Sequence, residues 1–170
     1  MAPVRSDLPT PLPSTWRLDK SPSGNFGVIT RPGTLEVFGY DFVEEVPVWR
    51  VEPRTLHGLS PKDFFGEVFF PMDDGQHLAV VRNPLATDAD PPDAAEPVIY
   101  FLREGEVTRH WTLGELTPEH APGYRLPDGR WRWLALAVSH PDKLVIETWN
   151  CWWLTFSLPA GELLDSYEED

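Results

Sequence analysis

A chain of 170 residues, 41% hydrophobic and 24% charged, has an ordinary composition for one globular domain and is long enough to bury a core. Lys and Arg total 14 against 27 Asp and Glu, a formal net charge of −13 that repels phosphate backbones and argues against nucleic-acid partners. No run approaches the roughly 18 apolar residues of a membrane helix. The single cysteine, Cys151, excludes an intramolecular disulfide, and the stretch from Met1 to Asp7 lacks a signal-peptide core, so a cytoplasmic setting is expected.

Residues 1–14 carry Pro3, Pro9, Pro11 and Pro13 and predict an extended arm with little packing of its own. A single β domain is expected over 15–164. Its first strands are Thr15–Leu18, Phe26–Thr30 and Thr34–Tyr40, joined by turns at Ser23-Gly24-Asn25 and Arg31-Pro32-Gly33-Thr34. Val46 to Val51 alternates as a strand that Pro47 confines to an edge or to the strand's start. Ser60-Pro61 opens a short helix that Gly66 ends, and Glu67 to Phe70 resumes as a strand.

His77 to Val81 is the next strand, and Asn83 to Pro97 a solvated loop whose acids, Asp88, Asp90, Asp93 and Glu96, have no base among them. Val98 to Arg103 is apolar on both faces, as a central sandwiched strand must be. The hairpin turn Arg103-Glu104-Gly105-Glu106 then leads into Val107 to Thr112. Leu113 to Leu116 is a single helical turn. Trp131 to Val138, Leu144 to Glu147 and Trp152 to Phe156 are further strands, and 165–170 is an acidic tail expected to fray after Leu164.

Three stretches repeat one order: a Gly turn, an alternating strand, then a second strand. The turns are Ser21-Pro22-Ser23-Gly24-Asn25, Asp73-Asp74-Gly75-Gln76 and Pro127-Asp128-Gly129-Arg130, with Gly24, Gly75 and Gly129 spaced 51 and 54 residues apart. A period near fifty indicates repeated antiparallel sheets. Over roughly residues 15–164 the pattern resembles the blades of the broad β-propeller group, although no Trp-Asp dipeptide is present. The fold class is thus all-β, an antiparallel meander of three blade-like repeats with one or two short helical turns. Three units fall below the roughly four to eight blades of a closed propeller, leaving an open propeller-like sheet, a partly closed barrel or a sandwich. The resemblance implies a scaffold for binding and no particular reaction.

Chemistry-bearing patterns are sparse. His57, His77, His110, His120 and His140 fall at no metal-ligand spacing, and Asp88, Asp90 and Asp93 lack the glycine and closing glutamate of a calcium loop. Asp73-Asp74 precedes Gly75 and reads as a turn former before a catalytic pair. Cys151 between Asn150 and Trp152 reads as a buried, inert thiol. No cofactor is expected, and no catalytic residue is assigned.

Tryptophan is the one enrichment: of 8, five lie at 131, 133, 149, 152 and 153. Adjacent Trp152 and Trp153 face opposite sides of a strand. Trp131, Arg130, Arg132 and Trp152 form the candidate binding surface. The leading functional expectation is a small acidic interaction module, of inhibitor or immunity type, binding a basic protein partner. A carbohydrate-binding module with an exposed Trp is the alternative. A hydrolase using His110 or His140 beside a carboxylate comes third.

Trp133 is expected in the core and Trp131, nearer the turn, partly exposed. Trp133→Ala should therefore cost about 3–5 kcal/mol in denaturant unfolding and Trp131→Ala much less. Equal, severe losses would make the whole cluster core.

Overall fold

In a computed structural model of the chain, the described residues are 8–31, 34, 36–51, 67–82, 93–116, 124–125, 131–149 and 151–169, with backbone alone at 67, 124–125 and 131–132. They form three four-stranded antiparallel sheets, each a simple meander, and one two-stranded hairpin. The first sheet runs β1 (Arg17–Lys20), β2 (Phe26–Thr30), β3 (Val37–Asp41), β4 (Val46–Val51). The second runs β5 (Glu67–Pro71), β6 (His77–Arg82), β7 (Pro97–Arg103), β8 (Glu106–Thr112). After α1 (Leu113–Leu116) the hairpin pairs β9 (Tyr124–Arg125) with β10 (Trp131–Arg132). The third sheet runs β11 (Leu134–Ser139), β12 (Lys143–Thr148), β13 (Trp152–Ser157), β14 (Leu163–Glu168).

The fold is all-β and built from three blade-like units, as the alternation implies. β2 and β4 have the bounds the sequence gives them, and Pro47 does sit near the start of an edge strand. β1 begins two residues later than expected. The helix expected over 60–66 lies outside the described residues. The turn at Leu113 does form, held by a reciprocal cap. The Thr112 backbone N–H donates to Glu115 Oε2 at 2.7 Å, and the Glu115 N–H donates to Thr112 Oγ1 at 3.3 Å.

The third unit is displaced from its expected position. The Asp128-Gly129 turn lies between β9 and β10 and outside the described residues, whereas the link matching those at Gly24 and Gly75 is His140–Asp142, between β11 and β12. Trp131 to Val138 is accordingly two strands, broken at Trp133. A register shift between Leu134 and Leu136 then turns Leu134 into the core and leaves Leu136 and Val138 on the opposite face. The C-terminal stretch does not fray after Leu164. It is β14, paired with β13 from Trp152↔Glu168 to Phe156↔Leu163, because the edge of β13 otherwise leaves its backbone groups unpaired.

Two cores hold the sheets together. Val28, Val37, Trp49 and Val51 of the first sheet meet Phe69, Leu78, Val80, Tyr100 and Leu102 of the second. On the second sheet's other face, Ala79, Val81, Ile99 and Phe101 meet Trp133, Leu144, Ile146, Leu154 and Phe156. Tyr100 and Leu102 thus oppose Ile99 and Phe101 across β7, the two-sided burial expected of that strand. Val98 departs from this alternation and joins the second core beside a register shift between Pro97 and Ile99.

A third cluster, Ile29, Phe38 and Tyr40, lies on the first sheet's outward face beneath Leu8, Leu12, Trp16 and Phe42. The described part of the proline-rich arm therefore packs, contrary to expectation, because that face is apolar and needs a cover.

Indole N–H groups tie the layers. Trp49 on β4 donates to the Gly75 carbonyl in the second sheet at 2.8 Å. Trp111 on β8 donates to the Gly161 carbonyl in the third sheet at 2.8 Å. Trp133, 1% exposed, donates to the Arg82 carbonyl at 2.8 Å. Gly75 and Gly161 hold φ of 69° and 67°, a conformation that glycine adopts without a Cβ penalty.

Gly39 lies directly beneath the Trp49 indole, where any Cβ would enter the ring. Gly39→Ala should displace that indole and cost about 1–3 kcal/mol, read as a lower denaturant midpoint with an unchanged slope. An unaffected midpoint would mean that Trp49 has room to move.

Candidate functional site

Of the sequence-derived surface, the structure describes the backbone of Trp131 and Arg132 and the whole of Trp152. Trp131 and Arg132 form β10, whose register puts Trp131 opposite Arg125 and Arg132 opposite Tyr124. Arg130 lies outside the described residues. Trp152 pairs with Glu168 on the face that Leu154 and Phe156 turn into the core, and it is half-buried there. Its neighbour Trp153 takes the opposite face, as adjacent strand residues must.

That opposite face of the third sheet carries exposed apolar side chains. Val138 stands opposite Val145, and Trp153 opposite Tyr167. Leu136 is 45%, Val138 39% and Tyr167 50% exposed, so no described segment covers them. The Trp153 and Tyr167 rings stack with centroids 6.4 Å apart and planes at 11°. The Trp153 indole donates to Glu169 Oε2 at 2.8 Å. Glu147, opposite Leu136, and Asp165, opposite Thr155, add carboxylates to the same face, and Lys143 lies at one corner. The sequence signal for this patch is the Trp152-Trp153 pair; alternation shows that the two diverge, and only the packing shows which of them stays outside.

The best-ordered cluster of polar side chains is structural. Asp73 Oδ1 accepts from the Ser23 backbone N–H at 2.8 Å, joining the β1–β2 turn to the β5–β6 turn. The Ser21 hydroxyl, then the Ser23 hydroxyl and N–H, hold the Asp73 carboxyl below its ordinary value. Asp74 Oδ1 accepts from the N–H groups of Gln76 at 2.8 Å and His77 at 3.0 Å, and Oδ2 lies 2.5 Å from His77 Nδ1. Partial burial raises the Asp74 pKa, but the His77 and Gln76 bonds together outweigh it and the net direction is down.

Both aspartates therefore act as turn formers. Among the described residues, the histidine bonded to a carboxylate is His77, rather than the His110 or His140 that a hydrolase reading requires. Among the described residues no group of three or more His, Cys, Asp or Glu is placed to hold a metal ion. Cys151 is exposed, contrary to expectation, because it occupies the turn between β12 and β13 with φ of 64°. No helix among the described residues is long and apolar enough to cross a membrane.

Among the described residues, six cations are engaged within the fold. Arg17 pairs with Asp19 at 2.7 Å and lies over the Phe69 ring, linking β1 to β5. Arg31 and Arg50 both reach Glu36, at 3.4 and 3.1 Å. Lys20 lies over Phe42 and Arg109 over Trp111. Arg82, buried on β6, meets Glu96 at 3.4 Å and the Pro97 carbonyl at 3.3 Å, so Glu96 has a base from the preceding strand.

No family description matches the chain, and no curated protein does. Solved structures do resemble it. A chain of the yeast heterotrimeric Nup82–Nup159–Nup116 nucleoporin complex aligns over 96% of this chain and 35% of its own, at 11% identity and a TM-score of 0.53. BamB from Moraxella catarrhalis aligns over 89% and 35%, at 14% identity and a TM-score of 0.48. The β-propeller domain of Myceliophteria thermophila Cps50 (Swd1) aligns over 90% and 40%, at 12% identity and a TM-score of 0.40. This chain thus spans well under half the length of each. The likeness is one of fold, and the fold is propeller-like.

The lowered Asp74 pKa has a definite sign in stability. The charged form favours the folded state above the ordinary carboxylate value of 3.8, and that advantage is lost as pH falls through the lower folded value. Asp74→Asn should therefore unfold at a lower urea concentration than the parent at pH 7, and the gap should close below about pH 4. A gap that stays constant down to pH 2 would show that the charge does not stabilise the turn.

Proposed function

We propose that the chain is a protein-interaction scaffold that binds a basic partner through its acidic, aromatic-bearing surface. The observation that supports this most is the charge balance: 27 carboxylates against 14 cations, with Arg17, Lys20, Arg31, Arg50, Arg82 and Arg109 already engaged inside the fold. Uncovered carboxylates steer a cationic partner toward the protein, and aromatic rings supply the anchoring area. The propeller-like fold supports the same reading, since it offers rigid sheets and many turns; the nucleoporin chain it resembles is itself part of a heterotrimer.

An inhibitor or immunity-type role is the form of this activity that we favour. Trp131, with Arg130 and Arg132 beside it in the sequence, and Trp152 at the start of β13 are proposed as contacts at the hairpin end of the third unit. Association with a basic partner should weaken steeply between about 50 and 500 mM salt, chiefly through a slower on-rate, as surface-plasmon measurements would show. Salt-insensitive binding to soluble oligosaccharides would instead identify a sugar-binding module.

A further inference from the structure

We infer that the outward face of the third sheet, centred on Val138, Val145, Trp153 and Tyr167, is a docking surface for a β-sheet of a partner protein with apolar packing residues and a basic rim. This rests on the proposed binding of a basic partner and gives that partner a further contact face, opposite the one that carries Trp152, with a mode of packing.

The fold itself shows what such a face accepts. Each of the three sheets turns one face in the same direction along the stack, and each of those faces carries an aromatic on its fourth strand: Trp49, Trp111 and Tyr167. β-Branched residues lie on the second strand, Val28, Val81 and Val145. The first two faces are each covered by the next four-stranded sheet. The third repeats the aromatic and β-branched positions but adds Glu147 and Asp165, and no described segment covers Leu136, Val138 or Tyr167. By the chain's own repeated interface, its complement is another sheet packed face to face.

Charge selects the partner's chemistry. Glu147 and Asp165 lie on this face, and Glu169 holds the Trp153 indole beside it; among the described residues Lys143 is the one cation there, at the corner. A second copy would bring the same carboxylates and a further net charge of −13. The area also disfavours self-association. Four strands of about six residues give a projected face of about 400 Å², against roughly 800 Å² per partner in a standard stable interface. A partner with Lys or Arg around an apolar centre gains electrostatically what the area alone does not supply.

The test uses the full chain and a labelled, cyclised β-hairpin peptide presenting Val and Tyr on one face with Lys at its rim, together with the same peptide carrying Glu for Lys. Binding is read by fluorescence anisotropy at about 50 and 500 mM NaCl. The Lys hairpin should bind, and the double variant Val138→Ser/Tyr167→Ser should weaken it at least tenfold with an unchanged melting curve. Leu18→Ser, at an exposed site at the other end of the stack, should leave it unaltered, and the Glu hairpin should not bind. Equal binding by the double variant with salt sensitivity retained would overturn the assignment to this face while leaving the basic-partner reading intact. Equal affinity for both hairpins would overturn the basic-partner reading itself. Failure of the Lys hairpin to bind would overturn the docking surface. A concentration-dependent dimer in sedimentation, abolished by the double variant, would assign the face to a second copy.

Discussion

The central strands of the middle sheet, β6 and β7, are buried on both faces, and the arrangement of the other two sheets follows from that. Along β6 and β7 both sides are apolar, Leu78, Val80, Tyr100 and Leu102 on one and Ala79, Val81, Ile99 and Phe101 on the other. A sheet of this kind is stable only between two covers. Burial alone is non-directional and does not say how the covers sit. The indole N–H groups of Trp49, Trp111 and Trp133 supply the direction, since each must find an acceptor in the interior and each finds a backbone carbonyl in a neighbouring layer. Apolar area thus provides the cohesion, and three tryptophan hydrogen bonds fix the relative positions.

The strands that were easiest to read in the sequence are those whose environment alternates with period two or is apolar throughout. β2, β4 and β7 are of this kind, although Val98 of β7 crosses to the other face beside a register shift. β14 was missed because Leu163-Leu164-Asp165-Ser166-Tyr167-Glu168 is exposed along its length and has no clean alternation; its strand character comes from pairing with β13. The third unit was misplaced for a different reason. Pro127-Asp128-Gly129-Arg130 has the best turn chemistry in the region, and the true inter-strand link at His140–Asp142 has no glycine. Local turn propensity therefore pointed to a hairpin outside the repeat, and 51 residues separate the starts of β2 and β6 where 66 separate those of β6 and β12.

The site was legible in kind and not in place. Tryptophan enrichment and acidity are properties of composition, so an aromatic surface with carboxylates beside it was foreseeable. Which of Trp152 and Trp153 would belong to that surface depends on which side of β13 meets the second sheet, and that is decided by β6 and β7, far away in sequence. The register shift between Leu134 and Leu136 has the same character: it moves Leu136 and Val138 onto the open face, and no single-residue preference in the sequence announces it.

The two ends of the stack are treated differently, and this constrains how the protein can assemble. Sheets that stack front to back present complementary faces at both ends, so an uncapped array would add further copies head to tail without closing. Here the first sheet's outward face is occupied by Leu8, Leu12 and Trp16 from the preceding segment. A second molecule's third sheet would find that position partly filled, with Leu18 of the same face still exposed. The exposed apolar face of the third sheet is compatible with a monomer in isolation and available to a partner of different sequence, with the carboxylates beside it adding repulsion between like molecules to that partial block.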